Sequence, residues 1–256
     1  NFLMTANAGI VVVPVAGLRK YLPTKETWQN AQLHWEIGTE VEPEILAQRL
    51  VLMGYERQSM VGKPGEFSIR GSIIDVYPLN AEYPVRVELF DVEIDSIRYF
   101  EADTQRSLEN LEEVTISPMT DLVFSKADMN HGMMRLQDAL EKRLATAKDQ
   151  TETDFLEEYF GQLLSSWEQG IPTENAHYYT DFLYQQKTTL LDYLPENSLL
   201  FVDDYSRMME TEREIAREEA EWQTLKIEEM RVFSEQTFGV DFHDQLRKTA
   251  RNTTFF

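Results

Sequence analysis

The chain has 256 residues, of which 45 are acidic and 24 basic, giving a formal net charge of −21, and it contains no cysteine. A field of that sign repels phosphate backbones and offers no basic stripe for counterion release, which argues against unaided DNA binding. Disulfides, thiolate metal sites and a cysteine nucleophile are excluded, and the length allows two modest domains, each with its own core.

The first residue is Asn and the last six read RNTTFF, so a piece cut from a longer protein is expected. The run Gly9 to Gly17 is apolar and rich in β-branched residues, and predicts a strand buried on both faces, as in a parallel sheet. At about nine residues it falls short of the ~20 needed to cross a bilayer. A helix is expected over Glu42 to Met53, with Pro43 in its first turn, Ile45, Leu46, Leu50 and Met53 at helical spacing and Gly54 as the stop. The period then changes to two. GEFSIRGSIIDVYPL, YPVRVELFD, EIDSIRYF and EEVTISP are β-like runs separated by turn residues, the pattern of an antiparallel meander with a hairpin turn around Asn80 to Glu82.

Helical spacing returns after Ser125. MNHGMMRLQDALEKRLATAKDQ and TDFLEEYFGQLLSSWEQG predict an antiparallel helical pair, the second presenting Phe155, Leu156, Tyr159, Leu163 and Leu164 on one side. A short helix, a turn at Pro195 to Asn197 and a buried strand Leu199 to Val202 follow, then a charged helix in which Glu210, Arg213 and Arg217 share a face. The change from strands to helices places a domain boundary near Met119 to Ser125.

A nucleotide hydrolase of the common kind needs a glycine loop and a lysine to hold phosphates. The one Gly-Lys pair, Gly62-Lys63, is followed by Pro64, which removes an amide where such a loop needs one. Asp203 and Asp204 end the strand LLFVDD like the acidic end of a nucleotide-hydrolase strand, where Asp203 would touch a magnesium-bound water, but they equally suit a helix cap. Asp241, His243 and Asp244 read as a solvated turn, and the four histidines are scattered, so no metal site and no catalytic residue is expected. Carboxylate pairs such as Glu157 and Glu158 lie in generally charged faces, and the tryptophans are far from basic clusters.

The stretch RGSIIDVYPLNAEYPVRVELFDVEIDSIRYF plants charges among apolar neighbours. Strand alternation puts Arg86, Glu88 and Phe90 on one face and Val85, Val87 and Leu89 on the other, toward the core. The charged face is expected to be exposed, with Arg70 beside it on the neighbouring strand and Arg57 joining from the edge. Such a patch suits recognition of another protein, although ordinary cross-strand pairing for solubility explains the same spacing.

GYERQSMVGKPGEFSIRGSIIDVYPLNAEYPVRVELFDVEIDSIRYFEADTQRS resembles the module shared by the excision-repair protein UvrB and the bacterial transcription-repair coupling factors. NFLMTANAGIVVVPVAGLRKYLP, EADTQRSLENLEEVTISP and LLDYLPENSLLFVDDYSRMMETEREI bring the resemblance closer to the coupling factors, particularly their Gram-positive forms, and extend it over nearly the whole chain. The resemblance implies a fold that is α/β and α+β: part of a degenerate, helicase-like (P-loop NTPase-like) α/β domain at 1–17 and 123–256, interrupted by a small α+β domain at 18–122 with an antiparallel sheet. In that family the inserted domain docks UvrA, the damage-recognition ATPase, and motifs of the types YxR, xRG and RVE carry this role onto Arg57, Arg70, Arg86 and Glu88. Asp203 followed by Asp204, Tyr205 and Ser206 departs from the aspartate-glutamate pair of UvrB-type motors, which implies an inactive motor.

The implied function is a non-catalytic, cytoplasmic adaptor region that recruits UvrA to RNA polymerase stalled at DNA lesions for nucleotide excision repair. No cofactor is expected in this stretch; ATP and magnesium, like the contacts to polymerase and double-stranded DNA, would belong to other parts of the longer protein. Two further readings stand beside it. One is an ATP-dependent, UvrB-like helicase subunit whose phosphate loop lies upstream; the other is an inhibitory element that masks the docking face and restrains a translocase.

Overall fold

A computed structural model describes residues 2–5, 9–79, 81–171, 173, 175–249 and 253–255. The chain forms two compact units, one from 1–25 and 124–256 and the other from 26–123. A boundary between residues 17 and 18, as expected from the resemblance, would cut the helix Val15–Arg19.

The second unit is built on strands β1 (Leu33–Glu36), β2 (Glu56–Arg57), β3 (Glu66–Arg70), β4 (Ile73–Val76), β5 (Val85–Phe90), β6 (Glu93–Phe100), β7 (Ser107–Leu111) and β8 (Glu113–Ile116). Strands β2 to β7 form one sheet in sequence order, antiparallel throughout except for the short parallel pair β2 and β3. The expected meander is therefore present. The run EEVTISP, however, leaves it: β8 pairs with β1 instead. Asn80, part of the expected hairpin turn, lies outside the described residues; the strands it joins are paired as expected. At the opposite end, Gly71 with φ of 60° occupies the first position of the two-residue turn between β3 and β4, a conformation that costs glycine no Cβ clash.

Alternation along these strands drives Phe67, Ile74, Val76, Val85, Val87, Leu89, Ile94 and Ile97 into one core, closed by Leu46 and Leu50 of the helix Pro43–Leu52 and by Met53 just after it. Pro43 starts that helix, and Gly54 ends it in the left-handed region at φ of 89°, where a Cβ would also meet the Met119 side chain at 3.3 Å. Ile45 faces solvent, so three of the four expected apolar positions are in the core.

In the first unit, the helices Lys126–Leu144 and Gln150–Glu168 pack on each other. Ser125 and Asp128 form a reciprocal capping box at the start of the former, and Asp149 caps the latter. The buried side of Gln150–Glu168 is Leu156, Phe160, Leu163 and Trp167, a rotation from the expected face that leaves Phe155 and Tyr159 half-buried under the Arg231 guanidinium. Strand β9 (Leu200–Val202) pairs in parallel with β10 (Thr253–Phe255). Of β9, only Val202 is buried; Phe201 faces solvent, so the expectation of a fully buried strand fails there.

It fails again at Gly9 to Gly17. Residues 9–14 are irregular, Ile10 and Val12 are each 90% exposed, and Pro14 precedes the helix Val15–Arg19, which takes Gly17 into its interior. No strand among the described residues pairs with this segment, so its β-branched side chains have no sheet to join. The helix sits instead on Tyr205–Glu228, where Arg19 pairs with Glu212 at 2.9 Å and with Glu219. Along that long helix Arg217 pairs with Glu221, one turn on, rather than with Glu210.

Candidate functional site

The face of the six-stranded sheet away from its apolar core carries the charges. Register aligns Ser68, Asp75, Arg86 and Arg98 in one cross-strand row and Arg70, Ile73, Glu88 and Ser96 in the next. Asp75 is 0% exposed and accepts from two of the three expected arginines: Arg86 Nε at 2.6 Å and Nη2 at 2.8 Å, and Arg70 Nη2 at 2.7 Å. Arg86 Nη2 also donates to Gln105 Oε1 at 2.7 Å, and its guanidinium lies 4.2 Å from the centre of the Phe100 ring. Gln105 itself, in the left-handed region at φ 59°, is held by Glu101 and Ala102 carbonyls.

This corrects the expectation of an exposed charged face. Arg86 is only 9% exposed, covered by the segment 101–106 and locked to a carboxylate of its own unit. The hydrogen bonds to Asp75 push its pKa above the ordinary arginine value, with burial opposing. Glu88 is also paired, with Arg98, which donates in addition to Ser107 and Ser96. That hydrogen bond from Arg98 holds the Glu88 carboxyl below its ordinary 4.5. Arg86 and Arg98 stand directly opposite each other, an arrangement that repels unless each cation has its own acid; Asp75 and Glu88 fill that role.

Arg70 remains the accessible cation: its side chain is 40% exposed, and the bond to Asp75 engages only Nη2. Arg57 is exposed, but register sets it beside Phe67, a core residue, and so on the other side of the sheet from Asp75 and Arg86. Alternation also sets Phe90, which none of the recognition motifs marks, on the face of Arg86 and Glu88. It is 78% exposed at the end of β5, beside the turn at Asp91. Arg70 and Phe90 both border two-residue turns at one end of the sheet, with β4 between their strands, so the accessible part of this face carries a guanidinium and an aromatic ring.

The remaining candidate chemistry does not assemble. Asp203 and Asp204 border a mostly aliphatic groove of about 990 Å³, and Asp204 spends its carboxylate accepting from Arg207 N, capping Tyr205–Glu228. The amides of Gly62 and Lys63 already donate to Glu66 Oε2 at 2.8 and 3.1 Å. Asp241 likewise caps a helix, Phe242–Thr249, where a turn was expected. Pairing of β1 with β8 brings His34, Glu36 and Glu113 together on the surface, a cluster invisible to local spacing; His34 is engaged there by Thr115 and Glu113. Among the described residues, no helix is long and apolar enough to cross a membrane.

The sheet, its covering helix and the paired charges fall within residues 33–122, which match the family described as the UvrB interaction domain. Over its whole length the chain is 38% identical to the transcription-repair-coupling factor of Bacillus subtilis, of which it covers 22%. It is 36% identical to that of Staphylococcus haemolyticus over 90% of this chain and 20% of that protein, and 34% identical to one from Staphylococcus aureus over 92% and 20%. The resemblance to Gram-positive transcription-repair coupling factors carried by the motifs is thereby shown along the chain, which spans about a fifth of the length of the curated relatives it matches.

Proposed function

We propose that this chain is a non-catalytic adaptor region of a cytoplasmic transcription-repair coupling factor, and that the polar face of its six-stranded sheet docks UvrA and brings it to RNA polymerase stalled at DNA lesions. The observation that carries this is that the exposed Phe90 and the half-free Arg70 lie toward the same end of one sheet inside the matched UvrB interaction domain. An aromatic ring and an arginine are the side chains most often found as anchors of protein interfaces, and an isolated solubilising charge pair needs no ring. Glu88, held ionised by Arg98, adds an acceptor at the centre of the face. Contacts to polymerase and double-stranded DNA, and ATP with magnesium, belong in this reading to other parts of the longer protein.

A UvrB-like helicase subunit is not favoured. The relatives are named as coupling factors, and Asp204, at the acidic strand end, caps a helix with its carboxylate. The degenerate helicase-like character of the first unit belongs to the same proposal, supported by the parallel pair β9 and β10 and the acidic strand end.

The test is capture of purified UvrA by the immobilised chain. Arg70→Ala and Phe90→Ala are each expected to weaken capture about tenfold or more, the scale of an interface anchor, while the unfolding midpoint stays near that of the wild type. Capture at the wild-type level by both variants would overturn the reading.

A further inference from the structure

We propose that the buried Asp75 is the positioning residue of the docking face, fixing Arg70 for the partner, and that Arg86 acts through Asp75 instead of touching the partner. This rests on the docking reading above and deepens it.

Asp75 lies on the polar side of the sheet yet is 0% exposed. Its Oδ2 accepts from Arg70 Nη2 and Arg86 Nη2 together, while Oδ1 accepts from Arg86 Nε. Arg86 is pinned in turn by Gln105 and by the Phe100 ring, so its planar fork presents a fixed edge to the carboxylate. The carboxylate consequently has one available orientation, and Arg70 inherits it. Nε and Nη1 of Arg70 have no partner among the described residues, and the side chain is 40% exposed. An arginine is rich in rotamers, and holding one still at an interface is a cost of binding. Asp75 meets that cost before the partner arrives. The free donors suit an acceptor such as a carboxylate on the partner, and Phe90 on the same face suits an apolar recess.

The experiment is a cycle on the whole chain with purified UvrA as the probe, comparing Kd for the wild type, Arg70→Ala, Asp75→Asn and the double variant. Arg70→Ala is expected to weaken binding about tenfold or more, and Asp75→Asn about two- to fivefold, the factor a half-exposed ion pair can supply by fixing a side chain. The double variant should bind within about twofold of Arg70→Ala alone, because Asp75 has nothing left to position. A purely structural role would not produce that coupling. A second readout is the Arg70 side-chain 15Nε resonance, expected to show restricted motion in the wild type and free rotation in Asp75→Asn.

Should Asp75→Asn fail to fold, Asp75→Leu with Arg86→Met replaces the buried pair by apolar side chains, and the same comparison is made with and without Arg70→Ala. Wild-type affinity in the Asp75 variants while Arg70→Ala is weak overturns the positioning role alone, as does an undiminished Asp75 effect on top of Arg70→Ala. Wild-type affinity for Arg70→Ala and Phe90→Ala overturns the docking reading and this inference with it.

Discussion

Replacing Arg86 by alanine should destabilise the 26–123 unit far more than the same change at Arg70, although the two cations share one carboxylate. Arg86→Ala removes the Nε and Nη2 bonds to Asp75 and leaves a fully buried carboxylate held only by Arg70. Loss of one partner from a buried charged pair costs about 3–5 kcal/mol. Arg70→Ala removes one bond from a side chain that is 40% exposed, leaving the bidentate pair intact, and about 0–1 kcal/mol is expected for an exposed pair. Hydrogen exchange read by mass spectrometry on the whole chain separates the two. At ~1.4 kcal/mol per factor of ten, the slowest amides of β4 and β5 should exchange about two to three and a half orders of magnitude faster in Arg86→Ala, and less than about one order faster in Arg70→Ala. Equal acceleration in the two variants would refute the assignment of Asp75 and Arg86 as the buried clamp.

Acid should act through Glu88. Its folded pKa lies below its ordinary 4.5, so the stability it contributes is present above that value and is lost as pH falls through the folded pKa. Urea midpoints measured from pH 6 down to pH 3 should decline less steeply for Glu88→Gln than for the wild type, and parallel curves would remove Glu88 from the account. In the first unit, Gly132 faces Leu183 so closely that a Cβ would stand 2.7 Å from its Cδ2 and 3.0 Å from its backbone Cα. Gly132→Ala should therefore destabilise by about 1–3 kcal/mol from overpacking, despite the better helix propensity of alanine, as a lowered thermal midpoint would register.

Elements whose signal is local were legible before the structure. The helix Pro43–Leu52 announces itself by a proline at its start, apolar spacing and a terminal glycine, and β3 to β6 by alternation between turns. The same alternation assigned Val85, Val87 and Leu89 to the core and put Arg86, Glu88 and Phe90 together. Phe90 could have been singled out, since a large apolar side chain on a charged strand face has no core to enter. A lone acid in the apolar run SIIDVY was the corresponding signal for Asp75.

The amino-acid sequence by itself determined the periodicities, hence the sheet, its helix and the parity of every charge on β5. Tertiary structure decided which of those charges meet solvent. Whether Arg86 is free depends on the segment 101–106, which Gln105 folds over it. Whether Arg57 joins the face depends on its pairing with Phe67, and whether residues 9–14 become a strand depends on a neighbour to bond. Spacing along one strand reports the direction of a side chain, whereas burial depends on what another part of the chain lays over it, and that second partner leaves no periodic trace.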